Sequence, residues 1–295
     1  MYILGLTIEF VEWFQSFSNT FLDFFFNLVS FFGEEYIYIT IMGFVYWTYN
    51  KKFGEFLGLS LAFSMVLNNT LKEIFDAPRP FTEYPNRVEN LRPTTSSGHS
   101  FPSGHTQLFS TFLFGAAFYI KKKWLFVTAS ILVLLMMMSR IYLGVHYLED
   151  VVVAAIIGLV LGYLIHYVYD KIHGNHILLH RIYIITIVIS FPITLLLGSE
   201  DLFKAFGTLS GMAIAVMYEK KYVKFSLDTT KSKKALRLVL GIIIMLSLQI
   251  GLKLLYSPFL EEGTYLFDVL SSARYFLLTF IGIGLYPKLF QKFNF

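Results

Sequence analysis

Long apolar stretches broken by short polar runs set the pattern of this chain. A helix needs about 20 mostly apolar residues to cross the hydrocarbon core of a bilayer. Stretches of that kind run over 35–50, 54–76, 104–120, 124–140, 151–169, 177–197, 202–218, 236–255 and 267–287. The segment 17–32, "FSNTFLDFFFNLVSFF", differs: Asp23, Asn27 and Ser30 fall near one helical face. Such a helix either crosses against other helices or lies in the membrane interface. The pattern therefore predicts nine or ten spans, with 17–32 as the ambiguous one.

The polar runs between these stretches alternate in charge. Lys51 and Lys52, Lys121 to Lys123, Lys171 with Arg181, the run from Lys220 to Arg237, and Lys288 with Lys292 hold 16 of the 24 basic residues. All fall between alternate spans or after the last, and the positive-inside rule assigns them to the cytoplasmic side. The opposite loops carry Glu34 and Glu35, Glu200 and Asp201, and Glu261 and Glu262. Lys72, Arg79, Arg87, Arg92 and Arg140 break the rule by falling on the outer side, and basic residues there call for a local function.

Composition agrees with a membrane chain. Of 295 residues, 56% are hydrophobic and 15% charged, against about 25% charged in ordinary soluble domains. With no cysteine in the chain, disulfides, thiolate metal sites and cysteine nucleophiles are excluded. The net charge of +4 is spread between spans rather than gathered on one face, so it is no nucleic-acid footprint. The first 16 residues hold Glu9 and Glu12 and no basic residue, unlike a secretory leader. Around 170–176, "DKIHGNH" reads as a joint between a module 1–170 and a module 171–295. No internal repeat is visible, and the second half shows no comparable polar cluster within its spans.

Three stretches on the outer side carry candidate chemistry: "KEIFDAPRP" at 72–80, "FPSGH" at 101–105 and "SRIYLGVHYLED" at 139–150. Lys72, Arg79 and Arg140 suit a tetrahedral oxyanion, arginine as a bidentate fork and lysine as a point charge. Gly104 lets backbone approach closely, and a helix starting at Ser103 and His105 offers free N–H groups to an anion. His146 and Asp150 are four apart, so on one helix the carboxylate can orient the imidazole. An imidazole held in one tautomer suits attack on phosphorus, which leaves His105 to protonate the leaving oxygen. Taken singly, each residue also has a structural reading. Lys72 and Arg79 can be snorkelling residues at span ends, His146 and Asp150 a satisfied polar pair, and Ser103 with Gly104 a simple cap. The three stretches together favour a site.

Lys72…Arg79-Pro80, Pro102-Ser103-Gly104-His105 and Ser139-Arg140…His146…Asp150 resemble, in order and spacing, the three signature motifs of the type 2 phosphatidic acid phosphatase (PAP2) superfamily. Every motif position is matched. The resemblance covers residues 17–170 and leaves 171–295 outside it. It implies an all-α integral membrane protein with a six-helix core, and about four further C-terminal transmembrane helices follow from the spans counted above. It implies metal-independent phosphoryl transfer through a phosphohistidine, without a cofactor. His146 would be the nucleophile, Asp150 its orienting partner and His105 the general acid. Lys72, Arg79, Ser103, Gly104 and Arg140 would hold the phosphate.

The outer-side position and the intramembrane helices point to a lipid phosphate as substrate, with membrane lipids as the other partners and no nucleic acid. Undecaprenyl diphosphate, phosphatidic acid, phosphatidylglycerophosphate and a sphingoid phosphate all remain open. The run "FFGEEYIYITIMGFVYW" is loosely similar to the sphingosine-phosphate phosphatase branch, which assigns no substrate. The short loops fit a bacterial cytoplasmic membrane, with the site facing outside. A lipid phosphotransferase using the same residues, and a non-catalytic lipid-binding or transport protein on the same scaffold, are the alternatives; a vanadate-dependent haloperoxidase fits poorly with so many spans. His99 reads as a solvated loop histidine. Arg87 and Arg92 read either as binders of a second phosphate or as a solvated loop, and His166, His173, His176 and His180 as interfacial residues.

Overall fold

The computed structural model describes residues 8–295. The reading of 1–16 against a secretory leader falls partly on residues 1–7, which lie outside the described residues. Regular structure among the described residues is helical: α1 (Ile8–Gln15), α2 (Thr20–Phe31), α3 (Glu35–Phe44, continued by a π-helical turn Val45–Tyr49), α4 (Lys51–Phe75), the single turn α5 (Pro80–Glu83), α6 (Gly104–Ile120), α7 (Lys123–Tyr142), α8 (Leu148–Ile172), α9 (His176–Leu197), α10 (Glu200–Tyr218), α11 (Lys231–Leu254), α12 (Tyr265–Phe280) and α13 (Tyr286–Lys292). A π-helical segment, Ile281–Leu285, joins α12 to α13, and the whole of Tyr265–Lys292 forms one 28-residue span.

Each apolar stretch read from the sequence is a helix, but not each is an apolar span in its own right. Among the described residues, α7, α8, α9, α11 and Tyr265–Lys292 are long and apolar enough to cross a membrane. The segment 17–32 gives α2, a 12-residue helix started by Asn19, whose side chain accepts from the amides of Phe21 and Leu22. At 1.5 Å per residue it covers about 18 Å, short of the ~30 Å hydrocarbon core. It joins α3 through a 50° bend, and the pair together is long and apolar enough for one broken span or a re-entrant loop. The helices α4 and α10 are polar for a lipid-facing span, and α6 has 17 residues. Their polar side chains turn inward. Ser60, Ser64 and Asn68 of α4 and Thr106, Gln107, Ser110 and Thr111 of α6 are all buried. In a bilayer such groups find partners on neighbouring helices.

The chain divides into two compact units, residues 8–37 with 67–167, and Tyr38–Val66 with Val168–Phe295. In the first unit α8 lies directly on α6 through small residues. A Cβ on Gly162 would stand 2.8 Å from the amide nitrogen of Gly115, and one on Gly158 would stand 2.5 Å from the Cβ of Ser110. Small residues four apart let two helix backbones approach this closely. Apolar clusters around Phe26, Tyr142, Leu143 and Val145, and around Ile141, Tyr147 and Val151, pack beneath the end of α7 and the start of α8.

The second unit repeats the small-residue device between α10 and α12, where a Cβ on Gly207 would lie 2.1 Å from the carbonyl oxygen of Ser272. Its core gathers Tyr46, Trp47, Met245, Tyr286 and Phe290. It is also rich in buried polar groups, which corrects the expectation that the second half has no polar cluster within its spans. Lys220 pairs with the buried Glu55 at 2.7 Å, and Lys51 with the buried Glu219 at 2.6 Å. Gln249, Asp268, Ser271 and Arg274 are buried on α11 and α12. Dispersed through apolar helices, these residues form no contiguous motif and become a cluster only when the helices pack.

Candidate active site

The three sequence stretches meet in the first unit. Lys72 sits half-buried in the last turn of α4. Arg79 stands between Pro78 and Pro80, and the following proline keeps it out of helical conformation. It is extended (φ −84°, ψ 155°) and starts the turn α5. Its guanidinium is anchored by three backbone carbonyls, Ser97 at 2.6 Å, Gly98 at 2.9 Å and Val145 at 3.0 Å. Fixed in this way and only 4% exposed, it lays one amino group 3.3 Å from the Nε2 of His146.

Ser103 is the residue before α6, and its side chain makes no capping bond to the helix. Its hydroxyl donates instead to Thr106 at 3.1 Å, so the first-turn amides remain available to an anion. The backbone here is held from both sides. The amide of Ser103 donates to the carbonyl of Asp150 at 3.1 Å, and Asn68 donates to the carbonyl of Pro102 at 3.2 Å. Gly104 faces Asn68, whose Oδ1 would lie 3.1 Å from an added Cβ. In the first turn of the helix, the Nε2 of His105 is buried with no hydrogen-bond partner among the described residues.

At the end of α7, Ser139 donates to the carbonyl of Phe26 at 2.7 Å, and Arg140 donates through one amino group to the hydroxyl of Ser30 at 2.5 Å. The Nε and the other amino group of this fully buried arginine have no partner. Arginine is donor-only, so two aligned and unused N–H groups fit an oxyanion. The chain then turns at Gly144 (φ +72°), where a Cβ would stand 2.3 Å from the carbonyl of Glu89. Only glycine fits that turn, which delivers His146 ahead of α8.

His146 is 1% exposed. Its Nδ1 lies 3.3 Å from the Oδ2 of Asp150. Because Arg79 can only donate, Nε2 is the acceptor, and Nδ1 carries the proton towards the carboxylate. Asp150 Oδ2 also accepts from the amide of Tyr147 at 2.8 Å and from the hydroxyl of Ser100 at 2.5 Å. Burial first, then the nearby charges of Arg79, Arg140 and Lys72, holds the His146 pKa well below the ordinary imidazole value. The ring is therefore neutral at neutral pH, with a lone pair on Nε2.

Other sequence candidates fall elsewhere. His99 points away, within 2.9 Å of Asp76 and 3.6 Å of Glu73 at the surface. Arg87 is tied to Glu12 at 2.5 Å and Arg92 to Glu34 and Asn27, so both take up structural pairings. Among the described residues no group of three or more His, Asp or Glu is arranged to hold a metal ion. Three contributors had no place in the motif reading. Ser100 directly precedes the stretch "FPSGH", and Ser30 lies on the polar face of 17–32, so both had a weak signal. Gly33 had none. At the α2–α3 bend, a Cβ on Gly33 would stand 2.7 Å from the His105 ring.

Fold and site together define an all-helical integral membrane protein in which buried cationic side chains surround a histidine held by a carboxylate. Residues 55–173 match the PAP2 superfamily, and residues 203–295 match the PAP2 superfamily phosphatase, transmembrane extension. The chain belongs to the PAP2 superfamily. It is 30% identical over 158 residues to a "Probable sphingosine-1-phosphate phosphatase" of Dictyostelium discoideum, matching 49% of this chain and 38% of that protein. It is 30% identical over 130 residues to an undecaprenyl-diphosphatase of Sulfolobus acidocaldarius, matching 43% of this chain and 61% of that protein. A phosphatidylglycerophosphatase B of Bacillus subtilis is 29% identical over 138 residues, 43% of this chain and 64% of that protein. The match thus spans less than two thirds of the length of each of these relatives. Among solved structures, Aquifex aeolicus LpxE superposes with a TM-score of 0.48 at 28% identity, covering 56% of this chain and 98% of that one.

Proposed function

We propose that the protein is a membrane lipid phosphatase that cleaves a phosphate monoester or diphosphate of a lipid through a phosphohistidine, with its site on the extracytoplasmic side of the cell membrane. The observation that carries this reading is the state of His146. Its Nδ1 proton is committed to Asp150, and its Nε2 lone pair lies beside a fixed arginine. A second arginine, Arg140, has two donors unused.

In the first step Nε2 of His146 attacks phosphorus while the bond from phosphorus to the lipid oxygen breaks. His105 gives its proton to that oxygen, and the alcohol or the shorter phosphate leaves. Asp150 stabilises the positive charge that the attacking imidazole acquires. Arg79, Arg140 and Lys72, with the α6 amides beginning at Gly104, meet the negative charge on the phosphoryl oxygens as it redistributes. In the second step His105 takes a proton from water, the water oxygen attacks phosphorus, and the phosphorus–nitrogen bond breaks to release phosphate and restore His146. Three protein cations supply the charge neutralisation, so the scheme requires no metal.

The undecaprenyl-diphosphatase and phosphatidylglycerophosphatase relatives support a lipid phosphate as substrate without choosing among headgroups. The test is phosphate release by purified protein from lipid mono- and diphosphates in EDTA. Wild type should turn over, and His146→Ala should lose at least about a thousandfold while remaining folded. Near wild-type release by His146→Ala would remove the nucleophile assignment, and transfer of the phosphoryl group to an added alcohol in preference to water would make the protein a transferase.

A further inference from the structure

A second cationic site stands in the transmembrane extension, built around Arg274 of α12. This arginine is the tenth residue of the 28-residue span that starts at Tyr265, about 14 Å along the helix at 1.5 Å per residue. It is 5% exposed. Among the described residues no carboxylate lies within ion-pair distance and none is hydrogen-bonded to its side chain, and its Nε is fully enclosed. Its guanidinium carbon lies 5.0 Å from the ring centre of Tyr275 and 5.9 Å from that of Tyr256.

Those two rings are themselves held in place. Tyr256 and Ser271 share a hydrogen bond at 3.0 Å, and Gln249 donates to the hydroxyl of Tyr275 at 3.1 Å. Of the acidic groups on these helices, Glu200 reaches Ser271 at 3.3 Å but is paired with Lys204 at 2.9 Å, and Asp268, buried on the same helix six residues before Arg274, makes no ion pair with it. The surrounding residues therefore orient the guanidinium without neutralising it. An ionised side chain inside a membrane span is costly unless paired, and its presence there marks a ligand or transport site. Arginine with a free fork selects a planar or tetrahedral oxyanion, above all phosphate. Beside it on the same helix Leu277 is exposed, and Leu254 and Leu255 are exposed just ahead of Tyr256, which offers apolar surface to acyl chains.

We propose that Arg274, flanked by Tyr256 and Tyr275, binds the phosphate of an anionic membrane lipid at a site separate from the His146 centre. The bound phosphate supplies the counter-charge that the protein lacks at this position.

The experiment uses the full chain in neutral detergent, in a His146→Ala background so that no ligand is consumed. Native mass spectrometry and thermal unfolding are followed with phosphatidic acid, phosphatidylcholine or inorganic phosphate added. Phosphatidic acid should bind at two sites per chain and raise the unfolding temperature, and Arg274→Met should leave one. Arg274→Lys, which keeps the charge but loses the fork, should weaken that binding about tenfold or more. The same effect with inorganic phosphate would show that the phosphate group alone is recognised; an effect confined to the lipid would show that the acyl chains contribute. Without lipid, Arg274→Met should be at least as stable as its parent, since it removes an unpaired charge. A stoichiometry unchanged by both substitutions overturns the proposal. So does an Arg274→Met protein that is less stable than its parent in lipid-free detergent, because the arginine is then structural. Because binding is read without turnover, failure of the phosphatase assignment leaves this test intact.

Discussion

At the residue scale, the site depends on groups that hold its histidine as well as on the groups proposed to react. Ser100 is the clearest case. Its hydroxyl donates to Asp150 Oδ2 at 2.5 Å and lies 3.3 Å from the Nδ1 of His146, so it braces the carboxylate that orients the ring. A hydrogen bond to a charged group contributes about 1.5–3 kcal/mol. If that stabilisation is used in positioning, Ser100→Ala should lower kcat about 10- to 100-fold with little change in KM. Steady-state kinetics of the variant would check this, and a rise in KM at constant kcat would instead make Ser100 a binding residue. The motif residues were legible because their types and spacings are unusual among apolar spans. Ser100 and Ser30 gave only a weak signal and Asn68 none, because an inward-facing serine or asparagine in a helical membrane protein looks the same whatever it touches.

At the element scale, close helix contacts come from glycines whose role is invisible until two backbones meet. Between α10 and α12 the carbonyl of Ser272 occupies the place where a Gly207 side chain would begin. Gly207→Ala should therefore destabilise the protein by about 1–3 kcal/mol through overpacking. Thermal unfolding in detergent measures this, and an unchanged transition would mean that the helices do not approach so closely. Helix existence followed from the apolar pattern, since each predicted stretch became a helix. Span count did not follow so simply. The 12 residues of α2 make a helix but not a crossing, and its bend into α3 at Gly33 depends on what lies beneath it, the ring of His105 and the methyl of Met136.

At the scale of the whole molecule, charge asymmetry is the informative quantity. The basic runs at Lys51–Lys52, Lys121–Lys123 and Lys220–Arg237 alternate with acidic loops, and this alternation underlies the proposed outward orientation of the site. The chain has no cysteine of its own, so single cysteines report sidedness cleanly. On intact cells a membrane-impermeant maleimide should label Asn86→Cys, in the loop beside the site, and spare Asp228→Cys. The reverse labelling would place the site in the cytoplasm.

The sequence by itself determined the membrane class, the helical fold, the family and the set of motif residues, because hydropathy period and motif spacing are local properties of the chain. Only the tertiary structure decided which cations have anionic partners and which do not. Arg87 and Arg92 proved to be paired with Glu12 and Glu34, whereas Arg140 and Arg274 keep unused donors in buried surroundings. Pairing depends on which helices meet and at what distance. Residues 75 positions apart, such as Glu12 and Arg87, give no sign of that in their order along the chain.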